Sequence, residues 1–406
     1  MRGTKILLGV TGGIAAYKSA YLVRELVRAG ADVRVVMTEA ATEFVQPLTF
    51  SALTRYPVAV DLWHKDQSTD STVGTRHIHL ATWCDLMLIA PASANTIAKI
   101  AHGLADNLLS LTALSARCVL MIAPAMDGGM FAAPANQENL QKLIARGAIV
   151  VGPEEGHLAS GLSARGRMTE PADLLERVRF QLSRGGKLSG RKVVVTAGGT
   201  QEPLDPVRVL TNRSSGKQGF ALAQAALDAG ADAVLVAAPS ALCHAYGVRR
   251  IDVRTAEEMR RVVLTEAADA DALIMAAAVA DFRPADPAKE KIKKSSAPDS
   301  IRLEPTADIL TEIGQTRAKT GRPCVVVGFS AETQDLEPNA RKKLDAKRLD
   351  LIVANEVGRP GSGFESDTNR VTILSAGDGS ETLPEMEKYR VAEAIIEKVT
   401  GLLEKK

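Results

Sequence analysis

The 406-residue sequence has few cysteines and few aromatic residues, and it lacks any long hydrophobic run. Its cysteines form no C-x-x-C pair, which argues against a disulfide framework and a zinc site and predicts small, buried apolar roles for Cys84, Cys118, Cys243 and Cys324. No apolar stretch reaches the roughly 18 residues of a membrane helix, and no signal-peptide pattern opens the sequence, so we expect a cytoplasmic protein without membrane contact. Aromatic residues make up 4% and the net charge is +2, so nucleic-acid binding is not expected.

What the sequence does contain is an internal repeat of four apolar segments. They cover residues 5–13, 28–38, 84–95 and 117–126 in the first half, and residues 192–200, 228–238, 270–281 and 323–333 in the second. Each is continuously apolar, which predicts central parallel strands buried on both faces. Gly30 and Gly230 stand where helices usually end.

The repeat predicts an α/β fold with two doubly wound, Rossmann-like parallel-sheet domains. The Gly/Ser/Lys-rich segment 183–190 is predicted as a flexible linker between residues 1–182 and residues 191–406. Ligands of such sheets bind beyond the carboxyl ends of the strands, so the residues at those ends are candidate site residues. Three polar stretches, residues 65–76, 283–305 and 356–370, are predicted to be functional loops.

In the first half, a glycine turn is the first candidate site. Gly12 and Gly13 let the backbone approach an anion, and a helix that starts near Ile14 would favour phosphate with its N-terminal amides. A tight structural turn is the alternative, because the dinucleotide fingerprint G-x-G-x-x-G is missing. The polar residues of segment 90–100 add hydrogen-bond donors at the same sheet edge, and Thr38 ends the strand between them.

Two further groups in the first half are ambiguous when taken alone. His77 follows a polar loop, where histidines are usually surface or capping residues, and His79 competes with it for any role. Asp127 lies between Met126 and Met130 at a strand end, which is also a typical place for core methionines.

The second half combines glycine-rich loops with lysines. Residues 196–208 and 210–220 form a glycine-rich loop and a helix start, although S-S-G-K is too short for a phosphate-binding P-loop motif. Residues 289–294 are lysine-rich, and Lys343 and Lys347 share one helical face. Lysine runs are usually solvated surface, but beside the strand ends AAAVADF and GFSAET they suggest a triphosphate site.

The first-half motifs resemble those of the flavin-dependent cysteine decarboxylases, and the second-half motifs resemble those of the phosphopantothenate–cysteine ligases. As a whole, the chain resembles the bacterial bifunctional enzymes of coenzyme A biosynthesis. The resemblance implies a flavodoxin-like decarboxylase domain over residues 1–182 and a ligase domain over residues 191–406. It further implies the cofactors FMN and Mg²⁺, the co-substrate CTP, and the substrates 4'-phosphopantothenate and L-cysteine. The assembly it implies is a homo-oligomer of trimeric flavin domains and dimeric ligase domains, which together suggest a dodecamer.

For the decarboxylase, the resemblance assigns an FMN site and two departures from the family pattern. The FMN contacts would be Gly12, Gly13, Ile14, Thr38, Ser93, Asn95, Thr96 and Met126. His77 would be the catalytic base. Asp127 stands where many members carry Asn: it is protonated by sharing a site with another carboxylate, binds something else, or strains the ground state. Ser160 stands where many carry a proton-donating Cys in a mobile flap, so proton delivery would need water or another group.

For the ligase, the resemblance places Arg208, Asn212, Ala278 and Lys291 at the acyl-transfer positions. The nucleotide contacts would be Ala276, Ala277, Ala278, Asp281, Lys291, Phe329, Lys343 and Lys347. CTP would activate the phosphopantothenate carboxylate as an acyl-cytidylate with release of pyrophosphate, and the cysteine amine would then form the amide. FMN would oxidise the product thiol, which creates the electron sink needed for loss of CO₂ and leads to 4'-phosphopantetheine.

Two alternatives remain at this point. One is a ligase whose first domain binds flavin but is catalytically impaired and regulatory, because Asp127 and Ser160 depart from the family pattern. The other is a nicotinamide oxidoreductase, which the missing G-x-G-x-x-G and the absence of an acidic residue closing the second strand disfavour.

Overall fold

The computed structural model describes residues 1, 3–62, 75–293, 300–332, 335–356, 366–377 and 379–406. The chain divides into two compact units, Met1–Leu182 and Ser183–Lys406. Of the three polar stretches predicted as functional loops, residues 65–74, 294–299 and 357–365 lie outside the described residues. The domain limits drawn from the sequence stay a prediction.

The first unit alternates strands and helices. Its strands are β1 (Lys5–Val10), β2 (Asp32–Met37), β3 (Leu86–Ala92), β4 (Val119–Pro124), β5 (Ile149–Val150), β6 (Glu154–His157) and β7 (Ser163–Arg167). Its helices are α1 (Ala16–Arg28), α2 (Glu39–Thr42), α3 (Pro47–Thr54), α4 (Arg76–Trp83), α5 (Ala94–His102), α6 (Leu108–Ser115), α7 (Gly128–Ala132), α8 (Pro134–Ala145) and α9 (Pro171–Ser183).

A parallel sheet of order β2-β1-β3-β4-β5 forms the centre of this unit, and β6 and β7 form an antiparallel hairpin. Successive residues of β1 point to opposite faces of the sheet, so Ile6 and Leu8 join one hydrophobic cluster and Leu7 joins the other. Helices cover both faces, as the continuous apolar runs predicted. The prediction was wrong for β2 in one respect, because β2 is an edge strand and not a central one.

The second unit is built on a longer sheet. Its strands are β8 (Lys192–Ala197), β9 (Gln201–Pro203), β10 (Val209–Thr211), β11 (Asp232–Ala237), β12 (Arg249–Asp252), β13 (Ala272–Met275), β14 (Phe282–Pro284), β15 (Leu303–Pro305), β16 (Val325–Glu332), β17 (Leu351–Glu356), β18 (Thr368–Asn369), β19 (Val371–Ser375), β20 (Ser380–Thr382) and β21 (Met386–Glu387). Its helices are α10 (Lys217–Asp228), α11 (Ala256–Ala267), α12 (Ile309–Thr320), α13 (Leu336–Ala346) and α14 (Lys388–Leu403).

Strand order confirms the internal repeat. The second sheet has the order β12-β11-β8-β13-β16-β17-β19-β20, so its strands β11-β8-β13-β16 follow the same order as β2-β1-β3-β4 of the first sheet. Within this sheet, the six neighbouring strands β12-β11-β8-β13-β16-β17 are parallel, whereas β19 and β20 are each antiparallel to the preceding strand in the order. The α/β class is therefore confirmed, with the difference that the second sheet is mixed. The correspondence extends to β17, which pairs with β16 in parallel as β5 pairs with β4, and no pattern in the sequence had indicated the antiparallel extension beyond it.

The glycines predicted to end helices do so. Gly30 and Gly230 follow Ala29 and Ala229, the C-cap residues of α1 and α10, and have φ angles of 90° and 96°. This left-handed region is disfavoured for residues with a Cβ atom, so glycine at these two positions lets the chain turn from the helix into the next strand.

The segment predicted as a flexible linker is packed. Leu188 is 1% exposed and donates its backbone N–H to the Ala229 carbonyl at 2.7 Å. A Cβ atom on Gly186 would overlap the same carbonyl. Residues 183–190 therefore lie against the end of α10, in the second unit.

Two other sequence-based expectations concern cysteines and membranes. The prediction of four buried cysteines was wrong for three of them: Cys84 is buried, but Cys118 and Cys324 are partly exposed and Cys243 is exposed. Among the helices of the described residues, none combines the length and the apolar character needed to cross a bilayer.

Candidate active sites

In the first unit, Thr11 connects two of the predicted flavin segments. Its hydroxyl donates to the Pro91 carbonyl at 2.8 Å and accepts a hydrogen bond from the backbone N–H of Ser93 at 2.9 Å. Thr11 is 1% exposed, so this link is sealed from solvent. The glycine turn after β1 and the polar segment after β3 are therefore fixed side by side at the carboxyl edge of the sheet, as predicted.

The strand end after β2 closes the same site. A Cβ atom on Gly12 would lie 2.7 Å from the Cβ of Ala40, so only glycine permits the turn to approach the start of α2 this closely. Thr38 lies between β2 and α2, and its hydroxyl oxygen is buried without a hydrogen-bond partner among the described residues. Buried hydroxyls normally have a partner, so this orphan is the feature that a bound polar ligand would satisfy.

The other residues predicted to bind flavin surround this edge. Ser93 caps α5 by accepting a hydrogen bond from the Thr96 backbone N–H, and its hydroxyl contacts the Thr96 hydroxyl at 3.2 Å. Met126 follows β4 and accepts a hydrogen bond from the Asn136 side chain through its sulfur. Gly13, Ile14 and Asn95 lie at the surface; Ile14 is 65% exposed.

The two departures from the family pattern contact each other. The Ser160 hydroxyl donates to a carboxylate oxygen of Asp127 at 2.7 Å, and the Gly129 backbone N–H donates to the other oxygen at 2.9 Å. The Ser160 bond, followed by the Gly129 bond, lowers the pKa of Asp127 below its usual value. These two donors favour the ionised form of Asp127, and the hypothesis that it is protonated by sharing a site with another carboxylate stays a prediction. Ser160 lies at the tip of the β6–β7 hairpin.

His77 is the second residue of α4 and is partly buried, whereas His79 is exposed. The helix leads back to the amino end of β3, so its first turn lies toward the carboxyl edge of the sheet. One residue, Thr75, separates this end of α4 from residues 63–74, which lie outside the described residues. His77 is thus on the expected side of the sheet, and its contact with a substrate stays a prediction.

In the second unit, a cavity of about 550 Å³ opens at the carboxyl edge of the sheet. Seven of the predicted nucleotide residues line it: Ala276, Ala277, Ala278, Asp281, Phe329, Lys343 and Lys347. Asn212, predicted for acyl transfer, lines it too, and its side-chain amide donates to the Val279 carbonyl at 3.1 Å.

Backbone hydrogen bonds hold the alanine-rich wall of this cavity. The Ala278 N–H donates to the Gly198 carbonyl at 2.8 Å, and the Ala280 N–H donates to the Thr200 hydroxyl at 2.9 Å. A Cβ atom on Gly199 would lie 2.6 Å from the Asn212 carbonyl oxygen, which is why this loop needs glycine. The glycine-rich loop after β8 is therefore the support of the cavity wall.

Charged side chains converge on the cavity from α12 and α13. Lys347 forms an ion pair with Asp308 at 3.1 Å, and Lys343 donates to the Ser330 hydroxyl at 3.5 Å. Burial raises the pKa of Asp308, but the hydrogen bonds from Lys347 and the Thr311 backbone N–H outweigh this, so its pKa is lowered. The prediction that the two lysines share one face and meet at the site fits this geometry.

Two predicted residues do not line the cavity. Arg208 contacts the carboxylate of Asp205 through Nε at 2.9 Å and Nη2 at 2.6 Å, and it also donates to the Ile292 carbonyl at 2.6 Å. Lys291, the neighbour of Ile292, is exposed. The structure therefore joins Arg208 to the lysine-rich segment and brings neither residue to the cavity wall.

Sequence comparisons decide which family this pair of sites represents. Residues 1–183 match the family described as Flavoprotein, and residues 188–402 match the family described as DNA/pantothenate metabolism flavoprotein C-terminal domain. The coenzyme A biosynthesis bifunctional protein CoaBC of Vibrio cholerae serotype O1 is 45% identical over 398 residues, covering 98% of each chain. The CoaBC protein of Bacillus subtilis (strain 168) is 43% identical over 405 residues, covering 99% of this chain and 98% of the relative. The chain belongs to the family of bifunctional coenzyme A biosynthesis proteins.

Membership in the bifunctional coenzyme A biosynthesis family confirms the resemblance stated from the motifs. The chain is an enzyme that combines phosphopantothenate–cysteine ligase with flavin-dependent phosphopantothenoylcysteine decarboxylase, and it acts on small-molecule precursors of coenzyme A. Among solved structures, the C-terminal domain of a CoaBC protein is 35% identical and covers 55% of this chain and 100% of that chain, with a TM-score of 0.47.

Sequence reasoning missed a second group of polar residues in the ligase cavity: Lys217, Lys388, Asn355 and Asn369. Lys388 begins α14 and is 6% exposed, and its burial, together with the charge of Lys217, lowers its pKa. Lys217 begins α10 and forms an ion pair with Asp367 at 2.6 Å. The SSGK sequence could have indicated Lys217, but nothing in the sequence connects Lys388 with this cavity.

Proposed function

We propose that the first unit binds FMN at the carboxyl edge of its sheet and uses it to decarboxylate 4'-phosphopantothenoylcysteine. The orphaned hydroxyl of Thr38 carries this proposal, because it is buried at the junction of three strand ends and needs a ligand partner. Gly12 and Gly13 would present backbone amides to the FMN phosphate, and Ser93, Asn95 and Thr96 would supply polar contacts. Ile14 and Met126 would contact the apolar part of the cofactor.

Bound FMN supplies the two-electron oxidation of the substrate thiol that makes loss of CO₂ possible. His77 would accept the proton from the substrate during this oxidation. The hydrogen bonds from Ser160 and Gly129 lower the pKa of Asp127, and an ionised Asp127 would be unable to donate a hydrogen bond to the substrate carboxylate as an asparagine would. It repels that carboxylate instead, which favours departure of CO₂.

Ser160 would serve as an orienting group in this site. Its proton is engaged with Asp127, and an alcohol whose proton is held by a carboxylate is a poor acid. The final protonation would then come from water that the Asp127–Ser160 pair orders. Substitution of Ser160 by Cys supplies a stronger acid at this position, so Ser160→Cys is expected to release CO₂ at least as fast as the parent enzyme.

The second unit would bind CTP and activate phosphopantothenate as an acyl-cytidylate. This proposal is supported by the placement of Lys343 and Lys347, together with Lys217 and Lys388, around one cavity, because several cations suit a triphosphate. Asn212 would hold the acyl intermediate while the cysteine amine attacks. Ala276, Ala277, Ala278, Asp281 and Phe329 would surround the nucleotide.

Mg²⁺ would enter the ligase site with the nucleotide. Among the described residues, no group of three or more His, Cys, Asp or Glu side chains is arranged to hold a metal ion. Mg²⁺ commonly keeps several waters and binds through substrate phosphates with one or two carboxylates, a role that Asp281 and Asp308 at the cavity could fill.

Arg208 would act on the reaction through the lysine-rich segment. The Asp205 side chain is buried and accepts hydrogen bonds from the backbone N–H groups of Val207 and Ile292, in addition to those from Arg208. Burial raises the pKa of Asp205, but these hydrogen bonds outweigh it and lower the pKa well below its usual range. Asp205 and Arg208 thus hold the backbone next to Lys291, which would reach the nucleotide from this anchored segment.

Loss of the anchor is expected to release the segment. Asp205→Asn should accelerate tryptic cleavage after Lys289 and Lys291 and raise the KM for CTP. Asp286→Asn is the matched control, since it removes an exposed ion pair with Arg302 on the same segment. Equal cleavage rates in both variants would show that Asp205 does not hold the segment.

A coupled assay tests both activities in one protein. Phosphopantothenate, cysteine and CTP are supplied, and pyrophosphate and CO₂ are followed together. His77→Asn should abolish CO₂ release and leave pyrophosphate release intact. Lys291→Gln should abolish pyrophosphate release, but it should still release CO₂ when phosphopantothenoylcysteine is supplied directly. Lys289→Gln, two residues from Lys291, is the control and should resemble the parent. CO₂ release from the parent that does not exceed that from His77→Asn would identify the first unit as catalytically impaired.

A homo-oligomer is proposed on the basis of exposed apolar faces. Tyr17 and Tyr21 are 51% and 62% exposed and lie four residues apart on one face of α1. In the second unit, β10 and the β14–β15 hairpin expose Leu210, Phe282 and Leu303. Exposed apolar faces of this kind suit contacts between subunits, and the family resemblance suggests trimers for the first unit and dimers for the second. Light scattering would give the mass, and Tyr17→Lys with Tyr21→Lys should lower it.

A further inference from the structure

Two cysteines of the first unit lie side by side. The Sγ atoms of Cys84 and Cys118 are 3.3 Å apart, although the residues are 34 positions apart in the chain. Cys84 follows α4 directly, and Cys118 immediately precedes β4. Leu86 of β3 pairs with Val119 of β4, so the two sulfurs are held together by paired neighbouring strands. Adjacent strands are about 4.8 Å apart, within the range of Cα separations that a disulfide bridges.

The two thiols differ in access. Cys118 is partly exposed and lines a surface cavity of about 250 Å³, together with Gly103, Leu104 and Arg146. Cys84 is only 7% exposed. A small reagent that enters the cavity therefore meets Cys118 first.

The contact also divides the two sulfurs chemically. The hydrogen bond from the Cys84 thiol lowers the pKa of Cys118, whereas the same bond and burial raise the pKa of Cys84. The thiolate is the form that attacks a disulfide, and a guanidinium group lines the same cavity. Both its solvent access and its lowered pKa make Cys118 the more reactive thiol of the pair.

We propose that Cys84 and Cys118 form a reversible intramolecular disulfide by exchange with a small-molecule disulfide. The Cys118 thiolate attacks one sulfur of the reagent, which forms a mixed disulfide and expels the first thiolate. The Cys84 thiol loses its proton, attacks the Cys118 sulfur and expels the second thiolate. The protein loses two electrons and two protons, and the reagent is reduced to two thiols.

The bond would close a loop that contains β3, α5 and α6. Ser93, Asn95 and Thr96 lie inside this loop, so the disulfide would restrict the polar segment that is proposed to contact FMN. Cytosolic disulfides are commonly transient or redox-sensing. The two cysteines precede β3 and β4, at the edge opposite the strand carboxyl ends, so the disulfide would limit the motion of the polar segment without occupying the space beside it.

The experiment uses the full chain and bis(2-hydroxyethyl) disulfide, followed by quenching with N-ethylmaleimide and non-reducing tryptic digestion. Trypsin places Cys84 in peptide 77–99 and Cys118 in peptide 118–142. We expect these peptides as a linked pair, lighter by two hydrogen atoms than their sum, and we expect dithiothreitol to separate them. Exposed Cys243 serves as an internal control and should yield only a mixed disulfide.

Two variants distinguish the attacking thiol from the resolving thiol. Cys84→Ser should stop at the mixed disulfide on Cys118, whereas Cys118→Ser should leave Cys84 unmodified. Far-UV circular dichroism tests whether each variant is folded. If one variant does not fold, the other variant and the parent protein still test whether the disulfide forms. A parent protein in which Cys118 stays free, or carries only a mixed disulfide after Cys243 has reacted fully, would overturn the proposal and make the contact one of packing alone.

Discussion

Helix α10 lies unusually close to strand β8, and a single methyl group should disturb both stability and nucleotide binding. A Cβ atom on Gly219 would lie 2.5 Å from the Ala197 Cβ and 2.7 Å from the Thr196 carbonyl oxygen. Gly401 in α14 is the matched control, because nothing lies within 4 Å of its Cβ position. The same change, Gly to Ala inside a helix, thus meets a packed strand in one case and open space in the other.

The expected magnitudes follow from these contacts. Replacement of a helical glycine by alanine gains about 0.8–1 kcal/mol of helix propensity. Overpacking against β8 costs about 1–3 kcal/mol, so Gly219→Ala should be destabilised by about 0–2 kcal/mol in total. Gly401→Ala, near the end of its helix, should gain up to about 1 kcal/mol. The two variants should therefore differ by about 1–3 kcal/mol.

Urea unfolding, followed by circular dichroism and by residual ligase activity, measures this difference. Gly219→Ala should also raise the KM for CTP, because Gly216 and Lys217 at the start of the shifted helix line the cavity. The KM of Gly401→Ala should match that of the parent. Equal unfolding midpoints in the two variants, or a Gly219→Ala protein more stable than Gly401→Ala, would refute the close approach of α10 to β8.

Two further predictions concern pH. Loss of the Ser160 hydroxyl should raise the pKa of Asp127, so the acid limb of the pH profile of CO₂ release should move to higher pH in Ser160→Ala. The control is Ser163→Ala, which should leave this limb unchanged because the Ser163 hydroxyl contacts His157 and not Asp127. Hydrogen bonds from Arg249, and then from Lys192, lower the pKa of Glu266 to about 2, so its stabilising effect is present above the unfolded pKa and is lost as the pH falls toward 2. Urea midpoints of Glu266→Gln should lie below the parent at pH 7 and approach it between roughly pH 4.5 and 2; a constant gap would contradict this assignment.

The sequence predicted the strand core and the glycine turns at the carboxyl edges of the sheets because both depend on local patterns. Continuous apolar runs specified β1 and β8, and glycines specified the turns that follow them. The face shared by Lys343 and Lys347 follows from helical periodicity alone. These features can be read without knowledge of distant contacts.

Contacts between residues that are distant in the chain could not be predicted from these local patterns. Lys388 reaches the cavity because α14 packs along α10, and no local pattern connects the two helices. The pairing of Asp127 with Ser160 brings together residues that had been interpreted as separate departures. Arg208 lacks a place at the cavity because Asp205, three residues away, accepts its guanidinium group, a competition that residue types alone do not reveal.

The position of Lys388 also bears on biosynthesis. Its carbonyl accepts a hydrogen bond from the side chain of Gln218 in α10, which lies 170 positions earlier in the chain. A ribosome must therefore translate almost the whole second unit before the cavity gains this wall, whereas the β1–β3 edge of the first unit is complete much earlier. A nascent chain can acquire its flavin pocket while its nucleotide pocket is still unfinished, so premature termination would spare the former and eliminate the latter.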